Sequence, residues 1–389
     1  MYICFFLNTI ENSMSLVIFL SCILINWVNC ERLQSLDVSS YKLQLTFNDD
    51  TFYQEPYEFM GYAQIKLVVR GTYTTDLKMH AAHDFIKIHQ IFLDDTALTE
   101  FNIDESTDIL TIEGSKDISK DIYGVTLYIN YTSRLSTDDM YGLYRTSFET
   151  SEGIKYFALS QFAPNFARRV FPCFDEPTFK TTYQLYVSYT PGIDILFDTD
   201  GSVVDTSDII DSDDAYETVL FKTTRKLSTY MIGIGLFHKN EFSCNTGENI
   251  TSTGGVYRVC SRIGTESVRS WAVSVGPSLV KQLVNFTNFI YHDKMDVLAV
   301  PHLPVIAEEN WGLVTARESS LLLSNDDSSA LDMGKIAMTM SFEFAQMWFG
   351  NVATPEWWSI CYVSKGLATY MQYLITHLVN FTNSEQELS

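Results

Sequence analysis

The sequence predicts a multi-domain α+β protein with a β-rich first part and a helix-containing second part. Short segments of alternating apolar and polar residues, rich in Tyr, Val, Thr and Ile, dominate residues 33 to about 235. From Glu266 onwards the apolar residues instead recur every three or four positions, which is the spacing of a helix. A chain of 389 residues that is 46% hydrophobic is long enough to form two domains with separate cores.

The predicted strands of the first domain are separated by turn-like segments and include residues 41–47, 63–69, 125–131, 182–189 and 217–224. Parallel βαβ units would need helices between these strands, and no strongly periodic helix separates them. We therefore predict an antiparallel β domain over residues 31–235 and a second domain over residues 236–389. In the second domain a helix is expected from Glu266, with Phe286 and Ile290 on its apolar side and a kink near Pro277.

Residues 1–30 are predicted to be a signal peptide or N-terminal leader. Their apolar core, residues 15–28, is shorter than an ordinary transmembrane helix. Since no Lys or Arg precedes Arg32, an uncleaved anchor stays open as an alternative. Four sequons allow N-glycans at Asn130, Asn249, Asn285 and Asn380. Together these features predict an extracellular or cell-surface protein that follows the secretory pathway.

Charge and cysteine content narrow the range of partners and crosslinks. The formal net charge of −22 argues against nucleic acid or an anionic membrane as a partner. After the leader, Cys173, Cys244, Cys260 and Cys361 allow three disulfide connectivities. Cys244 and Cys260 flank a glycine-bearing stretch that suits a hairpin, so this pair is the favoured bridge.

The strongest functional signal lies in residues 334–370. The run from Trp348 to Trp358 reads Trp-Phe-Gly-Asn-x-x-Thr-Pro-Glu-Trp-Trp, and the segments at 160–180 and 306–313 carry further motifs. In these segments, and in residues 137–149, the chain resembles the aminopeptidase N family of zinc peptidases. The resemblance implies an N-terminal antiparallel β-sandwich or saddle, followed by a thermolysin-like α/β domain. The family continues well beyond the position of Lys365, so a truncated domain is expected here, either as a short form or as a fragment.

The resemblance also implies where zinc would bind and that this site is degenerate. The two His positions of the family's His-Glu-x-x-His helix are Phe342 and Gln346, and the distant Glu position is Lys365. The general-base position is retained as Glu343. A phenyl ring, an amide and an ammonium are not credible zinc ligands, so we expect no metal and no cofactor, although zinc serves the family. Lys365 is expected either to neutralise Glu343 and Glu309 or to extend into solvent.

The substrate-binding positions implied by the resemblance are Gln161, Ala307, Glu309 and Asn310. The family's Thr-Gln-x-Glu segment stands here as residues 160–163, with Ala163 in place of the Glu. In the Gly-Ala-Met-Glu-Asn motif, Ile306 replaces Gly and is expected to crowd a substrate. Glu308 replaces Met, and strand alternation predicts that it points away from the face of Glu309.

Two further clusters are interpreted as structural. Arg168, Arg169, Asp175 and Glu176 are expected to form packing ion pairs within the family motif at 167–180. His80, His83 and His89 have suggestive spacing, but no cysteine or carboxylate cluster lies beside them in the sequence. They are therefore predicted to be surface or strand histidines that bind no metal.

Two functions follow from the resemblance and its departures. The first is a secreted pseudoenzyme that keeps the scaffold and a groove for a peptide or protein ligand, without zinc-dependent hydrolysis. The alternative is an active zinc metalloaminopeptidase that releases N-terminal residues from peptides. Independent losses at the metal, amine and backbone positions favour the pseudoenzyme.

Overall fold

The computed structural model describes residue 33 and residues 37–48, 50–68, 76–113, 124–204, 216–250, 255–323 and 329–379. The predicted leader and the sequon at Asn380 lie outside the described residues. Within these ranges, no helix has the length and apolar character needed to cross a membrane. The remaining three sequon asparagines, Asn130, Asn249 and Asn285, are exposed.

The first domain is built almost entirely of strands. They are β1 (Asp37–Phe47), β2 (Glu58–Val68), β3 (Leu77–His80), β4 (Lys87–Leu93), β5 (Thr96–Leu98), β6 (Phe101–Asp104), β7 (Ile109–Ile112), β8 (Val125–Arg134), β9 (Gly142–Thr150), β10 (Gly153–Gln161), β11 (Thr182–Tyr189), β12 (Ile193–Phe197), β13 (Gly201–Val203), β14 (Glu217–Phe221) and β15 (Ile234–His238). They form an eight-stranded sheet in the order β13-β14-β11-β1-β2-β8-β4-β5, a four-stranded sheet β12-β15-β10-β9 and a three-stranded sheet β3-β7-β6. A single helical turn, α1 (Asp50–Tyr53), follows β1.

The alternation in β1 shows why these segments form a two-sided sheet. Tyr41, Leu43, Leu45 and Phe47 are buried, while the residues between them are partly or fully exposed. Burial of each such side chain stabilises the sheet by about 1.5–3 kcal/mol relative to exposure. The predicted antiparallel arrangement holds for the other strand pairs described in this domain, but β1 pairs with β11 in parallel. Alternation predicts burial and says nothing about strand direction, so the sequence could not reveal this pairing.

The charged residues of the motif at 167–180 act inside this domain. Arg168 donates from Nε to Asp175 at 3.1 Å, and both side chains are buried. Arg169 pairs with Asp139 at 2.8 Å, while the Glu176 carboxylate accepts the Leu33 N–H. Both arginines thus form the predicted structural ion pairs. Arg168 pairs within the motif, whereas the partner of Arg169 is Asp139, which lies outside it.

The three histidines do not form a cluster with ligand character. His80 is a buried residue of β3, where its Nδ1 accepts the Asp175 N–H at 3.2 Å. Burial, and then the charge of Arg168, lower the pKa of His80 to about 2, so its imidazole stays neutral. His83 and His89 are exposed.

The second domain contains a five-stranded mixed sheet covered by helices. Its strands are β16 (Phe242–Thr246), β17 (Tyr257–Arg262), β18 (Met295–Val300), β19 (Ala307–Asn310) and β20 (Leu313–Arg317), in the order β16-β17-β18-β20-β19. The chain therefore leaves the four-stranded sheet after His238 and enters the five-stranded sheet at Phe242, a few residues after the boundary predicted at 235. Cys244 and Cys260 face each other across β16 and β17 and form the expected disulfide. Cys173 is a buried free thiol.

The helices are α2 (Ser270–Thr287), α3 (Glu318–Leu321), α4 (Ala330–Gln346) and α5 (Cys361–Leu378). In α2 the predicted apolar positions from Trp271 to Leu283 are buried, and Pro277 lies inside the helix. The prediction is wrong at the carboxyl end, where Phe286 and Ile290 are exposed. The helix ends because Asn288 adopts the left-handed conformation, so Ile290 falls outside it.

The two domains share packed side chains. Tyr144, Phe157 and Phe237 of the four-stranded sheet belong to one hydrophobic cluster with Leu298 and Leu313 of the second domain. This contact places the ends of β10 and β19 close together, and the candidate site lies there.

Candidate functional site

Helix α4 carries three of the positions implied by the family motif. It begins with a capping box, in which Ser329 accepts the Asp332 N–H and Asp332 accepts in return from the Ser329 backbone. Phe342, Glu343 and Gln346 are all buried near the end of the helix. Since positions i and i+4 share one helix face, Phe342 and Gln346 lie on the side where a metal-binding helix would present its two imidazoles.

Lys365 enters the same region from α5. Its Nζ donates to Glu309 Oε1 at 3.1 Å and lies 5.8 Å from the centroid of the Phe342 ring. The Lys365 side chain is 30% exposed, whereas the Glu309 side chain is 5% exposed. Of the two carboxyl groups that Lys365 was expected to neutralise, Glu309 is its ion-pair partner, whereas no ion pair to Glu343 is found among the described residues. The alternative of a lysine that extends unpaired into solvent is wrong.

Strand β19 contributes Glu309 and, against expectation, Glu308. Both residues are buried and line the same cavity as Lys365. Gln161, at the end of β10 in the first domain, lines this cavity together with Glu308. The prediction that alternation separates the two carboxyl groups is wrong. β19 is a four-residue strand at the sheet edge and pairs only with β20 within its sheet.

The cavity has a volume of about 200 Å³. It is lined by Tyr141, Gln161, Ala163, Pro164, Tyr230, Val305, Glu308, Glu309, Gln346, Gly350, Pro355, Trp358, Cys361, Ser364 and Lys365. Of the predicted substrate-binding residues, Gln161 and Glu309 are therefore brought together. Ala307 and Asn310 are buried in β19 and are not among the lining residues. Ile306 is half-buried, precedes β19 and is not a lining residue either, whereas Val305 is.

Electrostatics in this region are dominated by buried carboxyl groups. Burial, and then the neighbouring Glu309, raise the pKa of Glu308 to about 8. The same two causes, in the same order, raise the pKa of Glu343 well above its usual value. Burial opposes the charged form of Lys365, but the carboxylates of Glu309, Glu308 and Glu343 outweigh it and raise the pKa of that ammonium.

Contacts from the first domain hold one wall of the cavity. Tyr230 Oη donates to the Gly350 carbonyl at 2.6 Å, and its ring lies edge-on to Trp358 with centroids 5.0 Å apart. Lys180 donates to the Asn351 carbonyl. Residues 347–352 form a π-helical turn after α4, which presents these carbonyls to the first domain.

The residues at the three ligand positions do not fit zinc. Phe342 has no donor atom, Gln346 offers only an amide, and the Lys365 ammonium is already occupied by a carboxylate. In the described part of the chain, no three His, Cys, Asp or Glu side chains are placed to hold a metal ion. The geometry instead supplies a small, mostly enclosed cavity with carboxyl and amide oxygens.

Sequence reasoning missed Glu308 and Tyr230 as cavity residues. For Glu308 the signal was present, because an acidic residue in a buried edge strand has a desolvation cost that calls for a partner. For Tyr230 no local pattern could have indicated the role, since its contact with Gly350 joins residues 120 positions apart.

Comparison with known families places both domains. Residues 38–231 match the peptidase M1 N-terminal domain, and residues 271–388 match the peptidase family M1 domain. These matches confirm a β-sheet-rich N-terminal domain followed by part of a helical M1 catalytic-type domain.

Several relatives are aminopeptidases by name. Aminopeptidase M1-C of Oryza sativa subsp. japonica is 30% identical over 321 residues, which cover 81% of this chain and 34% of the relative. Puromycin-sensitive aminopeptidase of Caenorhabditis elegans is 27% identical over a region that covers 85% of this chain and 35% of the relative. Human endoplasmic reticulum aminopeptidase 1 is 32% identical over a region that covers 65% of this chain and 26% of the relative. The matched region thus spans about a third of the length of these relatives, and the chain belongs to the M1, or aminopeptidase N-like, peptidase family.

Proposed function

We propose that this protein is an aminopeptidase N-like pseudoenzyme that binds a peptide or protein ligand and does not hydrolyse it through zinc. The cavity that would receive the ligand lies between the end of β10, strand β19 and helices α4 and α5. The scaffold is that of the M1 family, while the residues at the metal positions have changed their chemistry.

One observation carries the proposal. Lys365 stands where the family motif has an anionic ligand, and its ammonium forms an ion pair with Glu309 at 3.1 Å. A cation at this position opposes binding of a dication at the same place. Glu343, the retained base position, then has only ordinary water as a possible partner in hydrolysis.

The competing proposal is an active zinc aminopeptidase, which the names of the relatives favour. Its zinc would need ligands other than Phe342, Gln346 and Lys365. The decisive experiment measures zinc by elemental mass spectrometry in the secreted full chain and follows turnover of fluorogenic amino-acid amides. A relative with an intact His-Glu-x-x-His motif serves as the control.

We expect zinc far below one ion per chain and no turnover that a chelator abolishes. A matched variant, Phe342→His/Gln346→His/Lys365→Glu, restores the family ligands and is expected to raise bound zinc towards one per chain. Stoichiometric zinc in the unchanged protein, together with chelator-sensitive turnover, would overturn the proposal.

We further propose that the protein follows the secretory route and carries N-glycans. The apolar residues 15–28, the Cys244–Cys260 disulfide and the exposed sequon residues Asn130, Asn249 and Asn285 support this. Expression in a secretory host with and without N-glycosidase treatment tests it. A band that does not shift on treatment, from protein retained inside the cell, would contradict it.

A further inference from the structure

The outer face of the eight-stranded sheet carries a sequon on one of its inner strands. Asn130 and Thr132 of that sequon lie on β8, which runs between β2 and β4. The burial of β8 alternates, so Asn130, Tyr128 and Thr132 share the solvent-facing side of the strand. A group attached to the Asn130 side chain therefore extends over this face of the sheet.

Aromatic side chains lie beside this asparagine. Tyr62 of β2 pairs directly with Asn130, and Tyr128 precedes Asn130 by two positions on the same face. The Tyr62 and Tyr128 rings have centroids 6.3 Å apart, with planes tilted by 32°. Both rings are half-buried, and Phe92, which pairs with Tyr128 from β4, is 37% exposed. Paired residues in a sheet have Cβ atoms about 4.5–5.5 Å apart, so these rings lie within reach of a group on Asn130.

This aromatic patch suits a neutral ligand. The chain has a net charge of −22, yet the described cross-strand partners of Tyr128, Asn130 and Thr132 include no acidic residue. These partners are Met60, Tyr62, Gln64, Lys87, Gln90 and Phe92. Exposed apolar side chains that lie together on a surface mark an interaction site. A pyranose ring has an apolar C–H face and uncharged hydroxyl and amide groups, so it fits aromatic rings that are bordered by amide side chains.

We propose that the first sugars of an N-glycan on Asn130 stack against Tyr62 and Tyr128 and cover this patch. The inference rests on the proposed secretory route and adds a role for one of its glycans. In the attachment step, Asn130 Nδ2 loses a proton and bonds to the anomeric carbon of the sugar, while the diphosphate of the lipid-linked donor leaves. The sugar then buries apolar surface of both rings, and this burial stabilises the pairing of β2 with β8.

The test uses the full chain from a secretory host, first unchanged and then with Asn249→Gln, Asn285→Gln and Asn380→Gln, which leave one sequon. Glycopeptide mass spectrometry measures the occupancy of Asn130. An endoglycosidase then trims its glycan to the first N-acetylglucosamine, and a peptide N-glycosidase removes the glycan completely. Both enzymes act on folded protein, so the comparison needs no variant that folds without the glycan. Asn130→Gln supplies a second unglycosylated form, because the peptide N-glycosidase leaves an aspartate at the site.

Hydroxyl-radical footprinting measures whether the rings are covered. We expect oxidation of Tyr62 and Tyr128 to be slow while one sugar remains and to become faster when that sugar is removed. Oxidation of Tyr373, an exposed residue of α5, should stay constant. Removal of the last sugar should also lower the melting temperature by about 2–4 °C, the shift typical of losing one modest interaction in a domain of about 200 residues.

Variants assign the stabilisation to the aromatic ring. Tyr62→Thr removes one ring and retains a residue with a strong preference for strands. In this variant, removal of the glycan should lower the melting temperature by less than it does in the parent protein. Tyr186→Thr is the matched control, since Tyr186 belongs to β11, three strands from β8 in the same sheet, and should keep the full effect.

The outcomes separate this inference from the proposed secretory route. Equal oxidation of Tyr62 and Tyr128 with and without the sugar overturns the inference, as does an undiminished loss of melting temperature in Tyr62→Thr. If the unchanged chain is secreted with Asn130 unoccupied, the inference also falls, and the secretory route stands. If the chain is retained in the cell with no sequon occupied, both proposals fall.

Discussion

At the scale of single residues, one substitution reverses the electrostatics of the site. A carboxylate at the position of Lys365 would add a negative charge next to Glu309 and Glu343, and a bound cation would be needed to balance it. The lysine supplies a positive charge from the protein itself, at 3.1 Å from Glu309. This charge is covalently attached, so it balances Glu309 from within the protein itself.

Removing the charge of Lys365 is therefore expected to destabilise the fold. Lys365→Met leaves Glu309 buried without its partner, a loss of about 3–5 kcal/mol for a fully buried pair. Since the lysine side chain is 30% exposed, we expect a smaller loss, about 1–3 kcal/mol, in the free energy of unfolding from urea titration. Lys335→Met on α4 removes an exposed pair with Asp332 and should cost less than about 0.5 kcal/mol. Equal losses in the two variants would contradict the buried pairing.

Glu308 predicts a pH dependence of stability. The pKa of Glu308 is about 8 in the folded state, against 4.5 for an ordinary glutamic acid. Between pH 4.5 and pH 8, Glu308 is therefore protonated in the folded state and ionised in the unfolded state. Stability from this group is complete below about pH 4.5 and is lost as the pH rises through 8. The charged groups that act on Glu308 are Glu309, which raises its pKa further, and Lys365, which lowers it. Glu308→Gln removes the titrating group and retains both of them.

In the unchanged protein, Glu308 makes the free energy of unfolding fall between pH 5.5 and 8, by at most about 1.4 kcal/mol per pH unit. Glu308→Gln should remove this contribution and give a flatter pH profile. Urea midpoints at several pH values measure it. Parallel pH profiles for the two proteins would show that Glu308 does not hold a proton in the fold.

The sequence could indicate the chemistry of these residues but not all of their directions. The charge of Lys365 was enough to predict a carboxylate partner as one of two alternatives, but the partner expected first was Glu343 and the one observed is Glu309. Alternation failed for Glu308 because it predicts only the side of a strand on which a residue lies, whereas Glu308 and Glu309 of the edge strand β19 both line one cavity. Whether Gln161, Glu309 and Glu343 bind a ligand stays a prediction.

At the scale of elements, the β16–β17 hairpin depends on its crosslink. β16 is an edge strand that pairs only with β17 within its sheet, and the disulfide joins residues 16 positions apart. For a loop of this length the crosslink is worth about 3 kcal/mol. We expect Cys244→Ser/Cys260→Ala to lower the melting temperature and to make residues 242–262 sensitive to limited proteolysis. A variant that melts at the temperature of the unchanged protein would show that the hairpin needs no crosslink.

The elements themselves were predictable where local pattern decides them. The alternating residues of β1, β2, β8, β11 and β14 give strands, and the predicted helix begins close to its expected start. The parallel pairing of β1 with β11 and the π-helical turn after α4 were not predictable, because both depend on contacts between distant parts of the chain.

At the scale of the whole molecule, the site depends on how the two domains pack. Gln161 and Tyr230 belong to the first domain, while Glu308, Glu309 and Lys365 belong to the second. The hydrogen bond from Tyr230 to Gly350 and the shared hydrophobic cluster hold these groups together. A cavity assembled in this way exists only while both domains are folded and packed, so ligand binding should report on the interface.

This packing predicts that the two domains unfold together. Five of the six tryptophans, at positions 271, 311, 348, 357 and 358, lie in the second domain, so tryptophan fluorescence reports mainly on that domain. The long helices of the second domain dominate far-UV circular dichroism, so the first domain is followed by pulse proteolysis in urea, read from peptides of its strands. We expect the two signals to give the same urea midpoint, because separating the domains exposes the cluster around Leu298 to water.

A variant in the shared cluster makes the prediction sharper. Leu298→Ala removes a fully buried side chain and should cost about 2–5 kcal/mol, lowering both midpoints by the same amount. Ile154→Ala changes an exposed residue of β10 and should leave both unchanged. If Leu298→Ala shifts the fluorescence midpoint alone, the domains unfold independently. The site would then lose its first-domain wall, including Gln161, without unfolding of the second domain.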